Sequence, residues 1–303
     1  MKRLRAVALA LGCMLAGQAQ SENMAPSGTL RAVMEYDPSY SPAATVYRPR
    51  DMEAAADLPI VAWGNSACQA NGGAYARRFL LELASHGYVI VAPGTPGPDP
   101  KLAPTSNRDP SPRLPAVAPG NDETQASELT AAIDWAIGEN SRPGSIYRGR
   151  LDTRKVAVMG HSCGGLQALS VQGDPRIGAS MIWNSGIYDR PAGRVGVRPT
   201  KDQLTRIHAP ILYAQGGPTD IAYAAVNDDC ARLPSGVSAV LIETNTGHDG
   251  TLRQQRGGSY AVIARAWLAW QLKGDKSAAR MFVEPDCILC ADRDFKISRR
   301  DLD

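Results

Sequence analysis

The stretch KVAVMGHSCGG, residues 155–165, contains the local pattern that decides the fold. Residues 156–158 form an apolar run without alternation, which predicts a short buried strand. Gly160, Ser162 and Gly164 then match the pattern G-x-S-x-G, in which the serine occupies a tight strand-to-helix turn and the glycines remove clashing Cβ atoms. The stretch therefore predicts a nucleophilic Ser162 at a sheet edge, near a helix N-terminus whose dipole favours negative charge.

Strand and helix patterns alternate along most of the chain. Two early strand patterns have no helix between them, whereas the later ones are separated by helical patterns. This order predicts an α/β fold with a mostly parallel eight-stranded sheet, helices on both faces and an antiparallel edge. The expected strands cover residues 30–35, 44–48, 58–63, 88–92, 155–159, 179–183, 211–215 and 238–243, and the expected helices cover residues 74–85, 123–139, 163–171, 221–232 and 259–272.

The first nineteen residues have the features of a secretory signal peptide. Three basic residues within the first five positions precede an apolar stretch, residues 6–16, and cleavage is expected after Ala19. The apolar stretch is too short to span a membrane. We therefore expect a secreted or periplasmic protein; a lipoprotein that carries its lipid on Cys13 is the alternative.

Composition limits the class of protein and its partners. The chain has 303 residues and 44% hydrophobic content, so residues 20–303 are expected to form a single domain, with a C-terminal tail from about 275. Without the signal peptide the formal net charge falls from +3 to 0, and no basic stripe remains, so nucleic acid is not an expected partner. No other apolar run approaches 18 residues, and no stable membrane insertion is expected. The oligomeric state stays open.

A serine hydroxyl needs a neighbouring base, and the chain has only four histidines. His86 lies at a predicted helix end, where an imidazole caps carbonyl groups. His161 adjoins the serine inside the turn, which should point its ring away from the hydroxyl. His208 stands just before a predicted strand, on the side of the sheet opposite the active edge. His248 follows the last predicted strand in a polar, glycine-flanked loop, so it is the expected base.

The base in turn needs a carboxylate that fixes its tautomer. Proteins with this serine turn carry the three groups in the chain order serine, acid, histidine. Asp220 follows a strand and a Gly-Gly-Pro turn, which favours it as the acid, although it also suits the N-cap of the next helix. Asp189 is the main rival. Asp228 and Asp229 are interpreted as helix-surface carboxylates, and Asp249 adjoins the histidine too closely to reach its ring.

Acyl transfer also requires N–H donors for the developing oxyanion. One donor is expected from the backbone of Cys163, directly after the serine. The other should come from the loop GNSACQANGG, residues 64–73, where Asn65 or Ser66 would supply the amide. This chemistry calls for no metal ion and no organic cofactor.

Further segments carry a resemblance to a known family: Trp63-Gly64-Asn65, LASHGYVIVAPG, GHSCGG, MIWNSG, GGPTDIAY, Gly247-His248, AWLAWQLKGD and DCILC, which together span about residues 58–290. They resemble secreted α/β-hydrolases of bacteria and fungi, near the dienelactone hydrolase, chlorophyllase and polyester-cleaving cutinase groups. The resemblance implies the α/β-hydrolase fold and a triad on Ser162, Asp220 and His248. Ser66 departs from the family pattern, in which glycine follows the asparagine.

These patterns predict a serine hydrolase that cleaves a small-molecule or polymeric carboxylic ester. Amide hydrolysis and acyl transfer use the same triad and stay open as alternatives. A cutinase-like polyesterase would need exposed aromatic side chains, for which Trp183 and Tyr223, just beyond strand ends, are candidates. A non-catalytic binding protein would have lost a member of the triad, and none is missing.

Five cysteines remain after signal removal, and an exported protein pairs some of its cysteines. Cys68 lies in the predicted oxyanion loop and Cys163 beside the nucleophile, so a bond between them would join the two halves of the oxyanion site. Cys287 and Cys290 lack the βαβ context of a redox motif, which favours a local disulfide over a thiol oxidoreductase or a zinc site. Cys230 is then left as a buried thiol.

One long segment, residues 93–121, contains nine prolines and fits neither a strand nor a helix. A connection of this length inside a compact domain usually has a function or is mobile. The segment is therefore interpreted either as a wall of the substrate cleft or as a surface excursion without a role.

Overall fold

Nine strands form one mixed sheet in the part of the chain that the structure, a computed structural model, describes: residues 25–37, 43–104, 123–189, 197 and 199–302. Their order across the sheet is β1-β2-β4-β3-β5-β6-β7-β8-β9. The bounds are β1 Ala32–Asp37, β2 Ala44–Pro49, β3 Leu58–Gly64, β4 Val89–Pro93, β5 Leu151–His161, β6 Ile177–Trp183, β7 Ile211–Gln215, β8 Ala239–Glu243 and β9 Lys296–Arg300.

The centre of the sheet is parallel and both edges are antiparallel. Strands β4, β3, β5, β6, β7 and β8 run parallel to one another, whereas β1 and β2 at one edge and β9 at the other pair antiparallel with their neighbours. The prediction of a mostly parallel α/β sheet with an antiparallel edge is therefore confirmed.

The expected strand count of eight was wrong, because the C-terminal tail adds β9 to the sheet. In this strand Ile297 is the only apolar residue among charged and polar ones, so the sequence shows no buried-strand pattern. Its pairing with β8 places basic side chains along the sheet edge, where charge discourages pairing with another chain.

Six α-helices lie in the described residues, five of them close to their predicted positions. Helix α1 starts three residues later than predicted, after a 3₁₀ turn over Ala74–Ala76. Helix α2 starts four residues later, because Glu123 pairs with Gln69 in an isolated bridge. The bounds are α1 Arg77–Ser85, α2 Ser127–Ser141, α3 Cys163–Ser170, α4 Tyr223–Arg232, α5 Gly258–Lys273 and α6 Ile288–Ala291.

Apolar clusters cover both faces of the sheet, as β3 illustrates. Ile60 belongs to a cluster that includes side chains of α2 and α3. The next residue, Val61, belongs to a second cluster with side chains of α1 and α5. Every residue of β3 is buried, which explains why the strand is continuously apolar rather than alternating.

The sheet order places several loops at one edge. Strand β3 lies between β4 and β5, so the helices that follow β3 and β5, α1 and α3, pack on opposite faces. In open α/β sheets, the crevice beyond the carboxyl ends of the strands at such a switch point is the usual ligand site. The loops after β3, β5, β7 and β8 all leave the sheet at this edge.

Several predictions fall outside the described residues. The signal peptide over residues 1–19, the alternative lipid site Cys13 and residues 105–121 of the proline-rich segment are among them. The described part of that segment is held by side chains of α1, since Arg78 donates hydrogen bonds to the carbonyl oxygen of Pro100 and to Asp99, both at 2.9 Å. Among the described residues, no helix is long and apolar enough to cross a membrane.

Glu82 of α1 anchors the first described residues. Its carboxylate accepts hydrogen bonds from the backbone N–H of Ser27 at 2.8 Å and from the guanidinium of Arg265 at 2.7 Å. Burial raises the pKa of Glu82, but the contact with His86, the bonds from Ser27 and the charge of Arg265 outweigh it and lower the pKa to about 2. Ionised Glu82 therefore stabilises the docking of this segment.

We expect Glu82→Gln to lower the free energy of unfolding at pH 7 by about 1–3 kcal/mol, because the buried cluster loses its charged acceptor. The folded-state pKa lies below the ordinary value of 4.5, so this stabilisation is present above about pH 4.5 and is lost as the pH falls toward 2. Urea unfolding at pH values from 7 to 3 should show that the difference in unfolding free energy between wild type and Glu82→Gln becomes smaller below pH 4.5. Glu53→Gln, at an exposed position, is the control, and a gap that is constant over the whole pH range would contradict the prediction.

Candidate functional site

The predicted nucleophile Ser162 makes a sharp turn between a strand and a helix. Strand β5 ends at His161 and α3 begins at Cys163, so Ser162 alone joins them. Its φ of 55° lies in the left-handed region, which is strained for a residue with a side chain. A Cβ atom on Gly160 would lie 2.2 Å from the carbonyl oxygen of Gly164, so the turn depends on the glycine that the pattern predicts.

The structure brings the three predicted catalytic groups into one hydrogen-bonded chain. His248 Nε2 lies 2.8 Å from the hydroxyl oxygen of Ser162. His248 Nδ1 lies 2.7 Å from Oδ1 of Asp220. Asp220 follows β7 and His248 follows β8, so both reach Ser162 from neighbouring loops at the same edge of the sheet.

The carboxylate of Asp220 is buried and surrounded by donors. Oδ2 accepts hydrogen bonds from the side-chain amide of Asn184 at 2.8 Å and from the N–H of Gly216 at 3.0 Å. Oδ1 also accepts from the N–H of Ala222 at 3.0 Å. Burial raises the pKa of Asp220, but the bond to His248 and these N–H groups outweigh it and lower the pKa to about 2. The group is therefore an anion at neutral pH.

Asn184 is a site residue that sequence reasoning missed. It directly follows β6, has a φ of 47° and is fully buried. Its side-chain amide donates hydrogen bonds to Asp220 and, at 3.0 Å, to the carbonyl oxygen of Gly247, the residue before His248. A polar residue directly after a buried strand at this edge was the available signal.

Three of the other acids lie apart from the imidazole of His248. Asp189 is exposed, Asp228 pairs with Arg232 at 2.8 Å, and Asp249 pairs with Arg253 at 2.8 Å. Helix α4 begins at Tyr223, so Asp220 is not its N-cap.

The interpretation of Asp229 as a surface carboxylate was wrong. It is fully buried, accepts a hydrogen bond from the N–H of Ile187 at 2.8 Å and pairs with Lys201 at 2.6 Å. Burial outweighs these contacts and raises the pKa of Asp229 to about 6. A helical pattern in sequence does not show which polar side chain faces inward, because the pairing cation, here Lys201, belongs to another element.

The predicted oxyanion loop packs directly on the serine turn. A Cβ atom on Gly164 would lie 2.0 Å from the carbonyl oxygen of Gly64, so the two backbones touch. The N–H of Cys163, at the first position of α3, has no carbonyl partner within the helix. Asn65 is buried, and its side chain donates to the carbonyl oxygens of Gln69 and Pro93 at 2.6 and 2.7 Å. Its side chain therefore shapes the loop, while the choice of amide donor between positions 65 and 66 stays a prediction.

Cys68 and Cys163 form a disulfide, as expected, with their Cα atoms 5.2 Å apart. The bond joins the loop after β3 to the first residue of α3. Cys287 and Cys290 form the second, local disulfide, so their sulfur atoms are not free to bind a metal ion. Cys230 is a free, partly buried thiol whose pKa burial raises to about 12. Two disulfides are compatible with an oxidising compartment.

We expect the variant with alanine at both Cys68 and Cys163 to lose about 2–4 kcal/mol of unfolding free energy, because this bond closes a long loop in the unfolded chain. The sequence separation is 95 residues for this pair and 3 for the pair of Cys287 and Cys290. Alanine at both positions of the second pair is therefore the matched control, and it should lose less. Equal losses in urea unfolding would contradict this difference.

No family model and no curated protein matches the chain. The resemblance to secreted α/β-hydrolases therefore stays a prediction.

The remaining histidines lie away from the Ser162 hydroxyl. His86 directly follows the last residue of α1, as expected, but its ring contacts Glu82 at 3.2 Å rather than capping carbonyl groups, which corrects that prediction. His208 is exposed and lies 3.3 Å from the carbonyl oxygen of Arg206. His161 is buried, and its ring reaches the backbone of His248.

Trp183, one of the two aromatic side chains considered for an open substrate cleft, is buried and cannot line such a cleft. Trp183 is fully buried between Phe79 and Tyr260, with ring centroids 5.4 and 4.8 Å away. It is the last residue of β6, and its side chain points into the cluster that covers one face of the sheet. Tyr223, the first residue of α4, is partly exposed.

Proposed function

We propose that this protein is a secreted serine hydrolase with the α/β-hydrolase fold, and that it cleaves carboxylic esters through an acyl-enzyme on Ser162. One observation carries the proposal: a serine on a strained turn, a histidine and a buried carboxylate form a continuous chain with bonds of 2.8 and 2.7 Å. That combination is the requirement for an activated serine nucleophile.

The triad supplies the proton transfers of the reaction. Nδ1 of His248 donates its hydrogen to ionised Asp220, which leaves Nε2 as the acceptor for the Ser162 proton. When Oγ attacks the ester carbonyl, the imidazole becomes an imidazolium next to the carboxylate. It then gives its proton to the leaving alcohol, and the acyl group remains on Ser162.

The oxyanion of each tetrahedral intermediate would be bound by backbone N–H groups. The N–H of Cys163 points out of the first turn of α3, where the helix dipole adds to its effect. The glycine contact and the disulfide hold residues 64–68 against this turn, so the donors are fixed before the substrate arrives.

Water completes the cycle by the same steps in reverse order. His248 takes a proton from a water molecule, which attacks the acyl carbonyl, and Ser162 leaves with the proton that the imidazolium returns. The products are one alcohol and one carboxylic acid. Both half-reactions balance with protein groups and water alone.

The test is a p-nitrophenyl ester series, from acetate to palmitate, together with a fluorophosphonate label. Trypsin should release the labelled residue in peptide 156–176, after reduction of the disulfide to residue 68. Fragmentation then distinguishes Ser162 from Ser170 in the same peptide. Ester turnover with the label on Ser162 would support the proposal, and the chain-length profile would define the acyl preference. Folded protein without turnover and without label would contradict it.

A further inference from the structure

A second histidine links two separate parts of the site. His161 is the last residue of β5 and only 2% exposed. Its Nε2 lies 2.8 Å from the backbone carbonyl oxygen of His248. Its Nδ1 lies 2.8 Å from the hydroxyl oxygen of Ser66, in the predicted oxyanion loop. One ring therefore contacts both the loop of the base and the loop of the oxyanion donors.

The partners of this ring fix its tautomer. A carbonyl oxygen only accepts, so Nε2 must carry the proton that bonds His248. Nδ1 of the neutral ring then accepts from the hydroxyl of Ser66. Burial and the neighbouring His248 lower the pKa of His161 to about 4, so the neutral form is kept at pH 7. The ring stacks on Tyr75, with centroids 5.1 Å apart and planes 11° apart.

We propose that His161 is a positioning residue, whose ring sets the distance between the base His248 and the oxyanion loop at Ser66. The inference rests on the proposed serine hydrolase function. Nothing in the chemical steps uses the ring of His161 directly. It acts through the main chain of one partner and the side chain of the other.

The oxyanion loop depends on such a contact because its own backbone is strained. Ala67 and Cys68 have φ values of 57° and 55°, which cost free energy for residues with a side chain. The side chain of Ser66 is held by His161 directly before these two residues. The carbonyl group of His248 belongs to the same residue as the base, so any shift there moves the imidazole relative to Ser162.

Three substitutions at position 161 separate the two bonds. His161→Asn keeps an acceptor near the place of Nδ1, His161→Gln keeps a donor near the place of Nε2, and His161→Phe keeps a ring for Tyr75 but neither bond. We expect kcat to fall about 10-fold in the Asn and Gln variants and about 100-fold in the Phe variant, because small displacements of reacting groups are costly. KM should stay close to the wild-type value.

Ser66→Ala tests the same link from the other side and lies on a partly exposed loop. Alone, it should lower kcat about 10-fold. Combined with His161→Gln, it should cost nothing further, because the bond between positions 66 and 161 is already absent. Independent, multiplying effects of the two substitutions would overturn the inference.

Turnover is expressed per active site titrated with fluorophosphonate, so a variant that only folds poorly keeps its kcat. Wild-type kcat per titrated site in the Phe variant and in Ser66→Ala would overturn the positioning role while leaving the proposed function intact. A wild-type protein with neither turnover nor label would instead overturn the proposed function, and the inference with it. A loss in kcat at constant KM, with no further loss when Ser66→Ala is added to His161→Gln, supports the positioning role and the proposed function together.

Discussion

Ser162→Ala is expected to lower kcat/KM for p-nitrophenyl esters by about 10⁶-fold, because no other group can carry the acyl chain and removal of one triad member disables the others. The hydroxyl of Ser162 lies 2.8 Å from His248 Nε2. Binding and the oxyanion donors survive the substitution, so residual turnover above the background reaction is expected. Initial rates at saturating and low substrate give both constants.

Ser170→Ala is the matched control for this substitution. Ser170 ends α3, the helix that begins directly after Ser162, and its hydroxyl donates to the carbonyl oxygen of Leu166 at 2.8 Å. Alanine at this position removes a hydroxyl from the same helix without touching the triad, so activity should stay within about 2-fold of wild type. A Ser162→Ala protein with kcat/KM within about 10-fold of wild type would contradict the acyl-enzyme mechanism.

The sequence was informative where backbone geometry restricts residue type. The turn at Ser162 needs glycine at position 160, since a Cβ atom there would lie 2.2 Å from a carbonyl oxygen. Strands buried on both faces, such as β3, are continuously apolar and therefore easy to recognise. The order of these strands then places the loops with Asp220 and His248 at one edge.

Features that depend on contacts between distant elements could not be predicted in the same way. Strand β9 is only an edge strand with one apolar residue, and it exists because β8 offers an unpaired edge. Asp229 can be buried because Lys201, which lies in a segment distant along the chain, pairs with its carboxylate. The position of His161 in sequence indicated a ring directed away from the serine, but not that Ser66 and His248 lie within hydrogen-bonding distance of it.

Trp183 illustrates a related limit. A residue at the end of a strand is close to the functional edge, but its side chain still belongs to one face of the sheet. Here that face is covered by α1 and α5, and the indole packs between Phe79 and Tyr260. Proximity to the edge along the chain therefore did not imply exposure in the cleft.

Asp220→Asn is expected to lower kcat by about 10⁴-fold, because an amide supplies a donor where every partner is already a donor. The NH₂ group at the place of Oδ2 would face the amide of Asn184 and the N–H of Gly216. At the place of Oδ1 it would face the N–H of Ala222 and His248 Nδ1. In the second orientation the imidazole must accept at Nδ1, so Nε2 carries the proton and can no longer take one from Ser162.

The control for this substitution is Asp189→Asn, at the rival carboxylate. Asp189 is exposed, so its amide should leave kcat within about 2-fold of wild type. Steady-state kinetics of both variants at pH 7 decides between the two acids. Since the pKa of Asp220 is lowered to about 2, the wild-type carboxylate stays ionised throughout the range from pH 5 to pH 9, so protonation of this group does not limit wild-type activity there. A larger loss in Asp189→Asn than in Asp220→Asn would mean that the acid has been assigned to the wrong loop.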